Sequence, residues 1–456
     1  MKFHTINPAT GEFIKEFPNQ TDTEVSELLH TAHIRFQQDW KWRPISERIS
    51  MVKKAGEILK SKRDYFAKLA TLEMGKISRF SDLEVDLVIG IFDYYIANAE
   101  KMLAPKKIEE EKDAFILSEP LGVILAIEPW NFPYYQLARV AIPQIIAGNV
   151  VLIKHAENVP QCALAFAELF AEARIPDGVY TNLFCSIEQI GQLIDDFRVR
   201  GVALTGSERA GISVGERAGR NLKKVILELG GSDPALVLKG ASLDYAAEQI
   251  VMGRTYNSGQ GCVNIKRVIV VGQERGQKML ELLKERFAKI KVGDPNEEST
   301  ALGPLASERA LNGLLKQIED AELAGGSLVM GGKRVNRPGF YLEPTIFTDI
   351  AKDNPLYKQE AFGPVLSFYI VDTEEEAINL ANDIDYGLGA YIFDEDTVHA
   401  KQVATKIESG MVYINSCFAD APYLPFGGIK NSGFGRELSE LGIGEFVNRK
   451  MVRVAE

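Results

Sequence analysis

The chain has 456 residues, more than one hydrophobic core usually holds, and this length predicts roughly three domains. Its hydrophobic content of 46% and charged content of 25% are typical of a soluble globular protein. The net charge of −11 argues against nucleic acid as the main partner, and no apolar run is long enough to span a membrane.

The cysteines and the N-terminus indicate where the protein works. Cys162, Cys185, Cys262 and Cys417 form no CxxC pair, and they have no metal-binding spacing with the five histidines. We therefore expect reduced thiols and no metal site. The first residues lack the apolar core of a secretory signal, so we expect a cytoplasmic protein.

The N-terminal part of the chain is predicted to be mainly helical. Residues 7–11 are typical of a turn between two short strands. Thr23 and Ser46 are predicted as N-caps, because a hydroxyl there can accept a hydrogen bond from the first helical turn. Apolar residues recur at helical spacing in three segments, residues 23–36, 46–73 and about 81–101.

A strongly charged segment, residues 106–112, follows these helices and leads into the apolar residues 114–117. It predicts either a solvated turn or a hairpin that projects from the globule, with charge flanking its strands. The last strand-like segment, residues 449–454, stands alone in the sequence and needs a partner strand.

From residue 122 onward, short apolar runs alternate with helical stretches, which is typical of parallel α/β sheets. The boundary between two such domains is predicted near Gly230. The first alternation has strands at residues 123–127, 150–153, 181–184, 201–204 and 225–229, and helices at 138–147, 162–173 and 211–221. The second has strands at residues 235–238, 268–271, 369–371, 390–393 and 411–415, and helices from 243, at 276–289 and at 374–383.

One cysteine stands where it could act as a nucleophile. In residues 256–262, Cys262 follows two glycines separated by a glutamine, a backbone that can bring a thiol to a cavity. Upstream, Glu228 ends an apolar run and precedes two glycines. A thiol and a carboxylate base on such turns could form and then hydrolyse a covalent intermediate. The alternative is a buried, inert cysteine and a surface carboxylate.

Two further segments directly follow predicted strands of the first sheet. In residues 129–133, two prolines fix the direction of Asn131, whose amide suits an oxyanion, with an ordinary turn asparagine as the alternative. Residues 204–211 end a strand and open a helix, and the helix N-terminus suits a phosphate. No GxGxxG follows a strand, so the ordinary Rossmann fingerprint is absent.

Together these segments resemble the aldehyde dehydrogenase superfamily, and within it most the compact bacterial succinate-semialdehyde dehydrogenases. The motifs follow the order of that family, at residues 7–8, 129–133, 151–157, 204–211, 226–231, 256–262, 360–364 and 425–436. The resemblance implies an α/β fold of two parallel-sheet domains, an atypical Rossmann cofactor domain and a catalytic domain, plus a β oligomerisation element. The implied ranges are 1–102 and 119–229 for the cofactor domain, 230–429 for the catalytic domain, and 103–118 and 430–456 for the oligomerisation element.

The resemblance also implies roles for single residues. Cys262 would be the nucleophile and Glu228 the general base, and Asn131 would form the oxyanion hole with the backbone N–H of Cys262. Lys154 and Glu157 would lie at the adenine-side ribose, and Glu360 at the nicotinamide ribose. The full set of expected cofactor-binding residues is Trp130, Lys154, Glu157, Gly206, Ser207, Gly211, Leu229, Glu360 and Phe362. A homodimer or homotetramer is expected.

The residue types also fit aldehyde oxidation as chemistry. A thiolate adds to the aldehyde carbon, and the resulting alkoxide expels hydride to NAD+. The product is a thioester, which a water molecule activated by Glu228 can hydrolyse. The alternatives are a CoA-acylating enzyme, which does not need such a base, and a binding protein that keeps the fold without the catalysis. A cysteine esterase activity could accompany the reaction.

Substrate and cofactor choice are predicted from four residues. Arg139 stands where the succinate-semialdehyde branch has an arginine for the distal carboxylate, with a helix-surface arginine as the alternative. Tyr423 stands where that branch often has a second arginine, and a hydroxyl binds a carboxylate less strongly. Glu157 predicts NAD rather than NADP, since a carboxylate repels a 2′-phosphate, although Lys154 partly offsets this. We therefore expect NAD-dependent oxidation of a small aldehyde, favouring succinate semialdehyde, with NADP as a less favoured alternative cofactor.

Overall fold

The computed structural model of the protein describes residues 2–417 and 420–455, so residues 1 and 456, which bound the predicted domain ranges, lie outside it, as do residues 418–419. Its first elements are β1 (Phe3–Asn7), β2 (Glu12–Phe17), α1 (Asp22–Gln38), α2 (Ile45–Ser61), α3 (Arg63–Met74), α4 (Ser78–Leu103), β3 (Lys106–Lys107) and β4 (Ala114–Pro120). Strands β1 and β2 pair antiparallel across the predicted turn. No helix in the described residues is long and apolar enough to cross a membrane.

Two predicted helix starts are wrong. Helix α1 is capped by Thr21, not by Thr23, because the Thr21 hydroxyl accepts from the N–H of Glu24 while the Glu24 side chain binds the N–H of Thr21. Helix α2 begins after Pro44 and has Ser46 inside its first turn. The predicted long helix over residues 46–73 is also two helices, α2 and α3, separated at Lys62.

The first parallel sheet is the one predicted from residue 122 onward. Its elements are β5 (Val123–Ile127), α5 (Tyr135–Ala147), β6 (Val150–Lys154), α6 (Pro160–Glu172), β7 (Tyr180–Asn182), α7 (Ile187–Asp195), β8 (Val199–Thr205), α8 (Glu208–Arg220) and β9 (Lys224–Glu228). These strands run parallel in the order β9-β8-β5-β6-β7. Their carboxyl ends therefore lie along one edge, where ligands of such sheets bind.

Within the described residues the second sheet has seven strands, and only β12 runs antiparallel to its neighbour. Its segment contains β10 (Pro234–Val237), α9 (Leu243–Thr255), β11 (Arg267–Val271), α10 (Gln273–Ala288), α11 (Glu308–Leu323), β12 (Ser327–Met330), β13 (Thr345–Thr348), α12 (Pro355–Lys358), β14 (Val365–Val371), α13 (Glu374–Asn382), β15 (Tyr386–Gly387), β16 (Gly389–Phe393), α14 (Thr397–Ala404) and β17 (Met411–Ile414). The strand order is β12-β13-β14-β11-β10-β16-β17. The predicted α/β fold with two parallel-sheet units is confirmed.

Separate hydrophobic clusters pack around the two sheets. One large cluster joins helices α1–α8 to the first sheet, with Trp40 and Leu125 among its fully buried members. On the second sheet, Val237 and its neighbour Leu236 belong to different clusters, one on each face. Successive residues of a strand point to opposite faces, so the strands of a sheet covered by helices on both sides are apolar at most positions.

The C-terminal segment contains β18 (Ile429–Lys430), β19 (Gly433–Phe434), α15 (Ser439–Gly444) and β20 (Val447–Arg453). The lone strand-like tail finds its partner in β4, along the whole of β20, and β3 pairs on the other side of β4. The structure differs from the predicted domain ranges at β19, which pairs with β9 at the edge of the first sheet. Gly433 allows this pairing, because a Cβ there would lie 1.9 Å from the carbonyl oxygen of Leu227.

Candidate active site

A cavity of about 260 Å³ lies where strands of the first sheet end and the segments before β11 and β14 approach them. Most of the predicted site residues line it: Trp130, Asn131, Gly206, Ser207, Glu228, Leu229, Cys262, Glu360 and Phe362. Pro129, Gln136, Thr205 and Gly230 line it as well. A thiol, an amide and a carboxylate thus face one space, although they are far apart in the chain.

Cys262 is the most accessible of the four cysteines, since it is partly exposed and the other three are buried. The turn before it is tight, with positive φ at Asn257 (52°), Ser258 (55°) and Gly259 (75°). Gln260 holds this turn in place, because its side-chain oxygen accepts from the N–H of Ala306 at 2.9 Å. Although the residue is partly exposed, desolvation of its sulfur raises the pKa of the Cys262 thiol to about 12, so the thiolate needs help from its surroundings.

Asn131 is buried and tied to the cysteine turn from two sides. Its side-chain N–H donates to the backbone carbonyl oxygen of Gln260 at 3.0 Å. The backbone carbonyl oxygen of Asn131 accepts from the side-chain amide of Asn257 at 2.8 Å. An amide nitrogen carries two hydrogens, so the second remains for a group in the cavity. The geometry suits a fixed donor to a developing oxyanion.

Glu228 ends strand β9 with its side chain buried, and neither of its carboxyl oxygens has a hydrogen-bond partner in the described residues. Burial, followed by the charge of Glu437, raises the pKa of the Glu228 carboxyl well above its ordinary value. Gly427 makes room for it, since a Cβ at that position would lie 2.6 Å from Oε1 of Glu228. A carboxylate without partners and with a raised pKa is a stronger base than an exposed one.

The cofactor side of the cavity is formed by the N-terminus of helix α8. Ser207 caps this helix by accepting from the N–H of Ala210 at 3.4 Å, and Gly206 precedes it. Gly211 lies inside the helix and does not line the cavity. A Cβ on Gly211 would lie 2.4 Å from Cδ1 of Leu229, so its role in the structure is close packing of α8 on the sheet.

Glu360 and Phe362 line the cavity from the segment before β14. Glu360 forms an ion pair with Lys266 at 3.1 Å and accepts from the N–H of Gly231 at 3.3 Å. The ring of Phe362 packs edge-on against Trp130, with centroids 5.6 Å apart. This pair of rings connects the first sheet to the second at the cavity.

Lys154 and Glu157 do not line the cavity, and their side chains form an ion pair with each other at the end of β6. The Lys154 ammonium also lies over the ring of Phe3, 5.6 Å from its centroid. The charge of Glu157 is therefore compensated by a cation three residues away.

The structure does not bring the two predicted substrate residues to the cavity. Arg139 is only 1% exposed, and its Nε forms an ion pair with Glu437 at 2.7 Å. Its guanidinium lies 4.3 Å from the centroid of Phe426. It is neither a surface arginine nor a free cation, because α5 is buried on every side. Tyr423 is 63% exposed, and its ring lies 6.4 Å from that of Tyr94.

The sequence model of the aldehyde dehydrogenase family matches residues 1–452. The chain belongs to this family. The aldehyde dehydrogenase of Deinococcus radiodurans named "Succinate-semialdehyde dehydrogenase [NADP(+)]" is 46% identical over 99% of this chain and 94% of that protein. A protein of Synechocystis sp., named "Probable succinate-semialdehyde dehydrogenase [NADP(+)]", is 43% identical over the full length of both chains.

Solved aldehyde dehydrogenase structures have the same fold. Succinic semialdehyde dehydrogenase from Streptococcus pyogenes, in complex with NADP+, matches with a TM-score of 0.97 and 45% identity over all of both chains. Betaine aldehyde dehydrogenase from Staphylococcus aureus in complex with NAD+ matches with a TM-score of 0.96 and 29% identity, over 99% of this chain and 94% of that one.

The predicted preference for NAD is wrong. The two relatives at 46% and 43% identity are named as NADP-dependent, and the Streptococcus pyogenes structure contains NADP+. The prediction rested on repulsion between the Glu157 carboxylate and a 2′-phosphate, which Lys154 was expected to offset only in part. In the structure the two side chains form a direct ion pair, so the charge of Glu157 is compensated.

Sequence reasoning missed the residues that hold the site together. Gln260 and Lys266 are both buried near Cys262, and the side chains of both bind backbone groups around it. The sequence contained a signal that could have indicated a role for Lys266. A lysine directly before an apolar strand such as β11 is seldom buried without a partner. No sequence signal indicated Glu437 as the partner of Arg139, because this pairing depends on the packing of α5 against the C-terminal segment.

Proposed function

We propose that this aldehyde dehydrogenase oxidises succinate semialdehyde to succinate with NADP+. The observation that carries the proposal is the common cavity of Cys262, Asn131 and Glu228. The names of the relatives, which match over nearly their full length, support the substrate and the cofactor. Four unpaired cysteines are in line with a reducing, cytoplasmic setting.

In the first half of the reaction, the sulfur of Cys262 forms a bond to the aldehyde carbon, and the carbonyl oxygen gains negative charge. The free N–H of the Asn131 amide and the backbone N–H of Cys262 would hold that oxygen. Both belong to segments fixed by the hydrogen bonds that join Asn131 to Gln260 and Asn257. Donors that are already in place need no reorganisation when the charge develops.

The residues present fit a dinucleotide. When bound, NADP+ accepts the two electrons and the hydrogen that the aldehyde carbon loses. The N-terminus of α8 at Ser207 suits the pyrophosphate, and the carboxylate of Glu360 suits ribose hydroxyls. Lys154 is the cation proposed for the 2′-phosphate, since it stands at the end of β6 with a side chain that is 10% exposed. Trp130, Gly206, Leu229 and Phe362 would form the remaining walls.

In the second half, the thioester on Cys262 must be hydrolysed. Glu228 would take a proton from water, since neither of its carboxyl oxygens has a hydrogen-bond partner in the part of the chain that the structure describes. A transfer to CoA would not need this base. The position of Glu228 in the cavity therefore supports formation of the free acid.

The test is Cys262→Ala, assayed by NADPH absorbance with succinate semialdehyde and with an uncharged aldehyde of similar length. We expect turnover to be abolished while NADP+ binding is retained, because the thiol forms the covalent intermediate. The wild-type enzyme should have a higher kcat/KM with NADP+ than with NAD+. Turnover that survives Cys262→Ala would contradict the proposal, and a preference for the uncharged aldehyde would contradict the substrate.

We also propose that the small sheet of β3, β4 and β20 is an oligomerisation surface of a homodimer or homotetramer. Apolar side chains in and directly after β20 are exposed, with Met451 at 60% and Val454 at 57%. Exposed apolar residues on a short sheet favour burial against another copy. Light scattering of the wild type and of Met451→Lys should give a lower mass for the variant, and equal masses would contradict the proposal.

A further inference from the structure

Lys266 is a buried lysine directly behind the candidate nucleophile. Its side chain is 2% exposed. The ammonium donates to the carbonyl oxygen of Gly261 at 2.9 Å and to the carbonyl oxygen of Cys262. It also forms the ion pair with Glu360 at 3.1 Å.

These contacts use the whole donor capacity of the group. An ammonium has three hydrogens, and here two are directed to consecutive carbonyls of the cysteine turn and one to a carboxylate. Buried lysines almost always have such partners, since an unpaired ammonium loses its hydration without compensation. Lys266 thus joins the backbone of Cys262 to a side chain that lines the cofactor side of the cavity.

We propose that Lys266 is a positioning residue that couples Glu360 to the Cys262 turn, so that engagement of Glu360 by the cofactor increases the reactivity of the thiol. The proposal rests on the roles proposed above for Cys262 and Glu360. It adds a residue that touches neither the substrate nor the cofactor and acts through its two partners.

The charges around the thiol give the direction of the coupling. Burial raises the pKa of Cys262, while Lys266 and then Arg139 lower it and Glu360 and Asp233 raise it. In this structure Glu360 is paired with Lys266, so part of the cation's effect on the sulfur is cancelled. When Glu360 accepts hydrogen bonds from ribose hydroxyls, that cancellation weakens and the thiolate is favoured.

The consequence is a thiol that is inactive until the cofactor is in place. Without it, the neutral thiol is protected from oxidants and alkylating agents, which react with the thiolate. With it, Lys266 supplies the positive charge that the sulfur needs before it adds to the aldehyde.

The experiment measures alkylation of Cys262 by iodoacetamide, in which the sulfur displaces iodide and forms a carbon–sulfur bond. Rates are measured on the full-length protein between about pH 6 and pH 9, with and without NADP+ and without aldehyde. Mass spectrometry assigns the label to Cys262. The variants are Lys266→Met and Glu360→Gln, and Lys278→Met on α10 is the charge-matched surface control.

We expect NADP+ to increase the wild-type rate about tenfold below the pKa of the thiol, the effect of a shift of about one pH unit. Glu360→Gln should be alkylated about as fast without NADP+ as the wild type is with it. Lys266→Met should be slow under both conditions, and Lys278→Met should match the wild type.

A response to NADP+ that persists in Lys266→Met would overturn the proposal, because the cofactor would then act on the thiol without the lysine. If Lys266→Met does not fold, the test depends on Glu360→Gln alone. An alkylation rate of Glu360→Gln without NADP+ that is equal to or lower than that of the wild type without NADP+ then overturns the proposal. These outcomes leave the assignment of the nucleophile intact. That assignment fails separately, if the label appears elsewhere than on Cys262 or if Cys262→Ala keeps its turnover.

Discussion

The side-chain amide of Asn131 donates to the backbone carbonyl of Gln260 at 3.0 Å. Asn131 follows a strand of the first sheet and Gln260 lies in the turn that carries Cys262, so this bond joins the two domains at the cavity. The oxyanion donor and the nucleophile are therefore positioned by each other.

Replacing Asn131 with Ala should lower kcat for succinate semialdehyde by about 10²- to 10³-fold, the usual effect of losing one oxyanion donor. Asn257→Gly is the matched control. It removes the bond from Asn257 to the Asn131 backbone and tolerates the φ of 52°, but it keeps the Asn131 amide. Steady-state kinetics should give a much smaller decrease for the control, and equal decreases would mean that only the tether matters.

Glu228→Gln should separate the two halves of the reaction. Glutamine has nearly the same shape but cannot accept the proton of water, so thioester hydrolysis should slow by roughly two orders of magnitude or more. Stopped-flow absorbance should still record a burst of NADPH in the first turnover. Loss of the burst together with an unchanged steady-state rate would show that Glu228 is not the base.

Two glycines of helix α8 should respond oppositely to the same substitution. At Gly211 a Cβ would lie 2.4 Å from the side chain of Leu229, so Gly211→Ala should move the helix and cost about 1–3 kcal/mol of stability. At Gly219 a Cβ would meet no atom of the described residues within 4 Å, and Gly219→Ala should stabilise the protein by about 0.4–1 kcal/mol.

The same pair of variants tests the position of α8 at the cofactor. Gly211→Ala should raise KM for NADP+, since Ser207 at the start of the helix lines the cavity, and Gly219→Ala should leave KM unchanged. Denaturant unfolding and kinetics check both statements. An increase in KM for both variants would contradict the packing argument.

His155 should make stability depend on pH in the acid range. Its ring is buried between the carbonyl oxygens of Glu128 and Pro133, at 3.2 and 2.9 Å, and burial lowers the pKa of His155 to about 4. The stability that depends on the neutral ring is complete above about pH 6.5 and is lost as the pH falls towards about 4, because the unfolded chain binds the proton first. The loss should approach roughly 3 kcal/mol.

His155→Gln removes this titration and is the variant to compare. Urea unfolding at about pH 7.5 and about pH 4.5 should give a smaller decrease in stability for His155→Gln than for the wild type. The difference between the two decreases isolates His155 from the carboxyl groups that titrate in the same range. Equal decreases would contradict the assignment.

The sequence by itself determined the secondary structure of the sheets and the candidates for catalysis. Residues 123–127 were predicted as a strand and form β5, because an apolar run of that length between turn residues is a local signal. Cys262 and Glu228 could be proposed as catalytic residues from the sequence, because Cys262 follows glycines in its segment and Glu228 precedes glycines in its own. The helix starts at Thr21 and Pro44 were missed, since neighbouring hydroxyls offer several possible caps.

The tertiary structure alone decided which charges meet. Arg139 was predicted to bind a substrate carboxylate, but the packing of α5 against the C-terminal segment gives it Glu437 as its partner. Glu157 was predicted to repel NADP with only a partial offset from Lys154, but the two side chains form a direct ion pair. Lys266 had no predicted role, although it connects Glu360 to the Cys262 turn. Propensity and periodicity are properties of a segment, whereas the partner of a buried charge depends on residues that only folding brings within a few ångströms.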